Sequence, residues 1–199
     1  MKKLVCIGDS LTEGLDIPVG HSWPVLVANA LDLEVINCGI GGDTTGGMLA
    51  RYYQAVLLNK PDIVFIMGGT NDLWWGFQVN VILGNLFSMV VQARHHGIAP
   101  AIGLPMPVNT AAAKAADFSP PLDGFERFTE KMEALLEGLI FHATESDISI
   151  IDLHRPFLTT KKRIRTDRFL ADGLHPDKTG HQLIADEMAA VFRRDFNFS

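Results

Sequence analysis

Four short polar clusters along the chain carry side chains able to do chemistry, each set among glycines. They are Gly8-Asp9-Ser10-Leu11-Thr12, Asn37-Cys38-Gly39-Ile40-Gly41-Gly42-Asp43-Thr44, Gly68-Gly69-Thr70-Asn71-Asp72 and Ala171-Asp172-Gly173-Leu174-His175-Pro176. Taken singly, each has a bland reading. A serine after a strand is often a turn former, Asn71 in a glycine-rich loop a turn residue, and Asp172 a helix-entry cap with His175 exposed beside it. Taken together they hold what acyl transfer requires. A serine hydroxyl is a poor nucleophile at neutral pH and needs an imidazole to take its proton. The imidazole needs a carboxylate on its other nitrogen to fix the tautomer and stabilise the cation. The attacked carbonyl needs hydrogen-bond donors for its developing charge.

These clusters need a frame that gathers them, and the chain alternates short apolar runs with longer amphipathic ones. Strands are predicted at Leu4–Gly8, Leu33–Asn37, Asp62–Met67, Ala99–Leu104 and Ile148–Asp152. Their consecutive Val, Ile and Leu suit parallel strands covered on both faces. Helices are predicted from Trp23 with Ser22 as cap, then over Thr45–Leu58, Asn80–His96 with Gly97 as terminator, Phe125–His142 and Lys178–Phe192. The expectation is one three-layer α/β/α domain over residues 1–199. In such an open parallel sheet, ligands bind beyond the carboxyl ends of the strands, where all four clusters fall. The proline-rich segment Pro105–Gly124 reads as a long irregular insertion, of the kind that often serves function. Lys161-Lys162-Arg163-Ile164-Arg165 is a basic cluster read as a solvated loop.

Composition excludes several classes. With 17 Lys and Arg against 23 Asp and Glu, the formal charge of −6 argues against nucleic acid as a partner. At 47% hydrophobic and 20% charged residues, the 199-residue chain is of ordinary globular type and able to bury a core without staples. Two cysteines make neither a disulfide framework nor a four-thiolate zinc site. Cys6 is expected to fill core space, and Cys38 to pack rather than react. His95-His96 close a helix, and His21, His142, His154 and His181 lack metal-ligand spacing, so no metal is expected. No apolar run approaches the roughly 20 residues of an integral membrane segment. Leu4-Val5-Cys6-Ile7 is too short for a signal-peptide core, so the chain is expected to begin at its first strand, in the cytoplasm.

The four clusters and their order resemble the SGNH hydrolases, or GDSL esterase/lipase family, over residues 4 to 185. Gly8-Asp9-Ser10-Leu11 matches the nucleophile block, Gly42 the glycine block, Gly68 to Asp72 the asparagine block, and Asp172 to Pro176 the histidine block. Ser22-Trp23-Pro24 and Gly42-Asp43-Thr44-Thr45 with Leu49-Ala50-Arg51 look most like its thioesterase I/lysophospholipase/arylesterase branch. The resemblance implies Ser10 as nucleophile, His175 as general base and acid, and Asp172 as the orienting carboxylate. It also implies an oxyanion hole built from the backbone N–H groups of Ser10 and Gly42 and the side-chain amide of Asn71. The implied sheet is flavodoxin-like, five-stranded, in the order 2-1-3-4-5. That order is coherent physically, since strands about 4.8 Å apart bring the loops after strands two and three beside Ser10. Glycine at 42 lets its N–H approach a substrate closely, and Asp9 is read as bracing the nucleophile loop.

The activity so implied is a serine acyl hydrolase acting, without a cofactor, on a small-molecule carboxylic ester or thioester. Trp74, Trp75 and Phe77 after the asparagine block, with Met106, Pro107, Val108 and Phe118 in the insertion, are candidate walls of an apolar acyl pocket or its lid. The reading from another class is a catalytically silent ligand-binding or interaction module on the same fold. A nucleotide site is disfavoured, because Gly39 to Thr44 lacks the last glycine of G-x-G-x-x-G and no Walker lysine follows. An α/β-hydrolase elbow is disfavoured because Thr12 stands where that turn needs glycine. The sequence is silent on oligomeric state.

Overall fold

The computed structural model describes residues 1–116 and 119–198. Strands β1 (Lys3–Gly8), β2 (Glu34–Gly39), β3 (Ile63–Ile66), β4 (Ala99–Leu104) and β5 (Ser149–Asp152) form one sheet in the order β2-β1-β3-β4-β5. Every neighbouring pair is parallel. Helices α1 (Ser10–Glu13), α2 (Trp23–Leu31), α3 (Thr45–Ala55), α4 (Thr70–Trp74), α5 (Val79–His95), α6 (Thr110–Ala115), α7 (Gly124–Glu145) and α8 (Lys178–Asp195) complete the chain.

The pleat of β1 divides the interior in two. Val5 and Ile7 face a core shared with α3, α5 and α7, including Met48, Tyr52, Ile82, Leu86 and Leu135. Leu4 and Cys6 face the other, against α2 and α8, with Trp23, Val27, Ile184, Met188 and Phe192. Full burial of each such aliphatic side chain is worth about 1.5–3 kcal/mol, which is what seats the helices on both faces. Cys6 is the small core residue its position in β1 suggested. Among the described residues, no helix is long and apolar enough to cross a membrane.

The departures from the expected elements have local causes. The insertion is not wholly irregular, because Thr110–Ala115 is helical. Its alanines favour helix, and Asn109 caps it by accepting the N–H of Ala112. Strand β2 continues past Asn37 to Gly39, which pairs with Gly8, and α3 stops at Ala55 before a separate 3₁₀ turn over Leu57–Asn59. Ser22 occupies the cap position of α2, but its hydroxyl donates to Val19 O instead. The buried His181 of α8 caps that helix, its Nδ1 accepting the Trp23 N–H at 3.1 Å.

Candidate active site

The sheet delivers its chemistry at one edge. β1 ends at Gly8, and the chain turns at once into α1, with Asp9 as cap and Ser10 as first helical residue. Asp9 Oδ1 accepts the N–H of Leu11 at 3.0 Å, so this carboxyl braces the turn. Helix α1 can lie this close to the end of β2 because residue 39 is glycine. A Cβ there would overlap the backbone of Thr12 and Glu13.

From the far end of the sequence, the loop before α8 carries Asp172 and His175 to the same edge. His175 Nε2 lies 2.9 Å from Ser10 Oγ, and its Nδ1 lies 2.6 Å from Asp172 Oδ2. Asp172 Oδ1 accepts the backbone N–H groups of Leu174 at 2.8 Å and His175 at 3.0 Å. Burial pushes this carboxyl up, but the bonds from the His175 ring and from the two backbone amides outweigh it and hold it below the ordinary carboxylate range. Such a group stays ionised and acts as an acceptor for an imidazole N–H.

The groups expected as oxyanion donors lie on the two loops flanking Ser10. Asn71 enters from α4, and its Nδ2 gives one hydrogen to Asp43 O at 2.9 Å. A primary amide has a second hydrogen on that nitrogen. Gly42 adopts φ +76°, the left-handed region, and open space surrounds the point where a Cβ would sit. Glycine is therefore required here by the backbone, a reason additional to close approach of a ligand. Asp72, the buried neighbour of Asn71, accepts both the N–H and the hydroxyl of Thr45, tying α4 to the start of α3.

Ser10, Gly42, Asn71 and His175 line one cleft of about 240 Å³, with Leu11, Leu15, Trp74, Met106, Val108 and Leu174 on its apolar side. Of the expected aromatic walls, Trp74 lines this cleft, held edge-on against Phe125 and Phe128. Trp75 and Phe77 do not line it and are exposed. Met106 and Val108 do line it, whereas Phe118 lies outside the described residues. Cys38 is half-buried with its thiol directed to Ala55 O, and burial raises its pKa, which suits packing. Among the described residues, no group of three or more His, Cys, Asp or Glu is gathered as a metal site would require.

Burial pushes the Asp9 carboxyl up to about 7, against the Leu11 N–H bond and His175, with Asp72 and Asp43 pushing it further up. A charge-bearing group in that state directly beside the serine was not foreseen from sequence. Arg51 entered the sequence reading only as part of the branch resemblance, and the bonds of its guanidinium to Asp43, Cys38 and Gly8 below the site were not foreseen. A signal for it existed. Arg51 stands seven residues beyond the cap Thr44, which is two helical turns along the same face.

A parallel five-stranded sheet in this order, with a serine and a histidine meeting over its carboxyl edge, is an arrangement able to carry acyl hydrolysis. The chain belongs to the GDSL-like lipase/acylhydrolase family, whose model matches residues 6–183. An arylesterase of Vibrio mimicus is 32% identical over 193 residues, 94% of this chain and 86% of that protein. Thioesterase 1/protease 1/lysophospholipase L1 of Escherichia coli K12 is 25% identical over 189 residues, 94% of this chain and 81% of that one. Among solved structures, a lipolytic protein of the G-D-S-L family from Desulfitobacterium hafniense superposes with a TM-score of 0.82 at 22% identity, covering 96% of this chain and 99% of the other. The protein is accordingly a carboxylic ester hydrolase.

Proposed function

We propose that the chain hydrolyses carboxylic esters or thioesters of small-to-medium apolar acyl groups through an acyl-enzyme on Ser10. The observation that carries this is the unbroken line Asp172–His175–Ser10, at 2.6 and 2.9 Å, opening on an apolar cleft. His175 Nε2 takes the Ser10 proton as Oγ forms a bond to the acyl carbon. Asp172 keeps Nδ1–H in place and offsets the imidazolium charge. The resulting oxyanion is met by the N–H groups of Ser10 and Gly42 and by the second Nδ2 hydrogen of Asn71. As the carbonyl reforms, the alcohol or thiol leaves with the proton from His175. Water then repeats the sequence on the acyl-serine, releasing the acid and restoring Ser10.

Leu11, Trp74, Met106, Val108 and Leu174 support an apolar acyl group, since they offer a chain contact surface and few polar partners. Ester and thioester carbonyls share this mechanism, so the leaving group is set by what the open side of the cleft admits. The test is a panel of p-nitrophenyl esters of rising chain length beside acyl thioesters, with Ser10→Ala as control. Turnover of short and medium chains, abolished to background in Ser10→Ala, is expected. An organophosphonate should add one adduct to the intact mass, mapped to Ser10. A folded protein with no turnover and no adduct would instead fit the silent binding module and sink the proposal.

A further inference from the structure

Beneath the cleft, the guanidinium of Arg51 reaches from α3 to three acceptors on two segments, the end of β1 and the connection from β2 to α3. Its Nε donates to Asp43 Oδ2 at 2.7 Å, one terminal nitrogen to Cys38 O at 2.7 Å, and the other to Gly8 O at 3.0 Å. Gly8 ends β1 and stands two residues before Ser10. Cys38 lies near the end of β2, at the root of the loop that carries Gly42. Asp43 follows Gly42 directly, and its carbonyl is the acceptor that holds the Asn71 amide at 2.9 Å. One planar fork thus contacts the loop of each of the three oxyanion donors, either directly or through a single further hydrogen bond. The side chains are only 21% and 13% exposed for Arg51 and Asp43, so bulk water competes weakly for these bonds.

We infer that Arg51 is a positioning residue for the oxyanion site, setting the spacing of the Ser10, Gly42 and Asn71 donors from below without touching substrate. The inference rests on the oxyanion roles proposed above. Donors aimed in advance at a developing charge lose their value when displaced, since they act on the transition state and little on the ground state. Arginine suits this task because its donors leave a rigid plane in fixed directions. A lysine keeps the charge but not the fork, and cannot hold three acceptors at these angles.

The test compares Arg51→Lys, Asn71→Ala and the double variant on one p-nitrophenyl ester, with melting measured in parallel. Asn71→Ala is expected to lower kcat by about 10²–10³, the usual effect of deleting one oxyanion donor. Arg51→Lys should lower kcat by at least tenfold with KM within about threefold, in protein still folded at the assay temperature. The double variant should fall below Asn71→Ala by clearly less than the Arg51→Lys factor, because the part of that loss carried by Asn71 is already gone while the displacement of the Ser10 and Gly42 donors remains. Asp43→Asn, which weakens the same fork more gently, should show a smaller drop of the same kind and carries the test should Arg51→Lys not fold. If Asn71→Ala is near wild type, the oxyanion reading itself fails. If Asn71→Ala is impaired while Arg51→Lys and Asp43→Asn keep kcat within twofold, or if their losses multiply fully with Asn71→Ala, positioning by Arg51 is refuted.

Discussion

The hydroxyl of Ser10 is a poor nucleophile on its own, and its neighbours decide whether it reacts. Asp172 is the informative one, because three hydrogen bonds keep it below the ordinary carboxylate range despite its partial burial. It therefore remains ionised at neutral and mildly acidic pH, and the proton on His175 is directed to Nδ1. Asp172→Asn would keep an oxygen for the two backbone donors but could present N–H to the ring. The imidazole would then hold its proton on Nε2, facing Ser10, where it cannot act as base. By analogy with the serine-protease triad, kcat should fall by about 10⁴ while the melting temperature moves little. Stopped assays at high enzyme concentration would measure this, and activity within tenfold of wild type would remove Asp172 from the proposed triad. Singly these three residues were ambiguous in the sequence; together their types suggested acyl transfer, their separate roles came from the family resemblance, and the fold brings them within hydrogen-bond reach of one another. Gly42 was legible only in part. Its sequence context suggested close approach, whereas its φ of +76° could be seen only in the folded loop.

At the scale of elements, the strands were readable because apolar runs of Val, Ile and Leu have few alternatives to a sheet buried on both sides. Helices α1 and α4 were not readable, since each is short and begins inside a glycine-rich cluster that resembles a turn. Their formation depends on tertiary contacts, such as the packing of α1 on Gly39. The cap position of α2 was read correctly at Ser22, but the bond that satisfies the helix was not, for a related reason. Ser22 has the right type beside the helix, but the acceptor comes from His181, distant in sequence and adjacent in space. Burial depresses His181 to about 4, with His175 adding to the effect and Asp177 opposing it. A histidine held neutral in the fold contributes stability above its unfolded pKa of about 6.5, and that contribution is lost as pH falls toward the folded value. His181→Ala should therefore cost about 1–3 kcal/mol at pH 8, where it leaves the Trp23 N–H buried without an acceptor. It should also flatten the stability loss between pH 6.5 and 4. Urea unfolding at several pH values would check both, and an acid dependence as steep as wild type would assign that slope to other groups.

For the whole molecule, the two cores on either face of the sheet leave the carboxyl edge as the place where polar groups collect, and some are buried there at a cost. Asp9 is the clearest case. It is 1% exposed, it supports the turn that presents Ser10, and its pKa is pushed up to about 7. The sign follows from linkage. An acid whose folded pKa lies above its unfolded value contributes stability at low pH, and this is lost as pH rises from about 4 through 7. At about 1.36 kcal/mol per pKa unit, the full effect is at most about 4 kcal/mol. His181 acts in the opposite direction across a nearly coincident window, so between about pH 4 and 6.5 the two slopes largely cancel. Asp9→Asn retains an oxygen for the Leu11 N–H and cannot ionise. It should unfold at a higher temperature than wild type at pH 8, with the difference shrinking toward zero near pH 4. Calorimetric melts of the two proteins across that range decide the matter. An unchanged difference at every pH, or a variant less stable at pH 8, would mean that the Asp9 charge is not a burden on the fold beside Ser10.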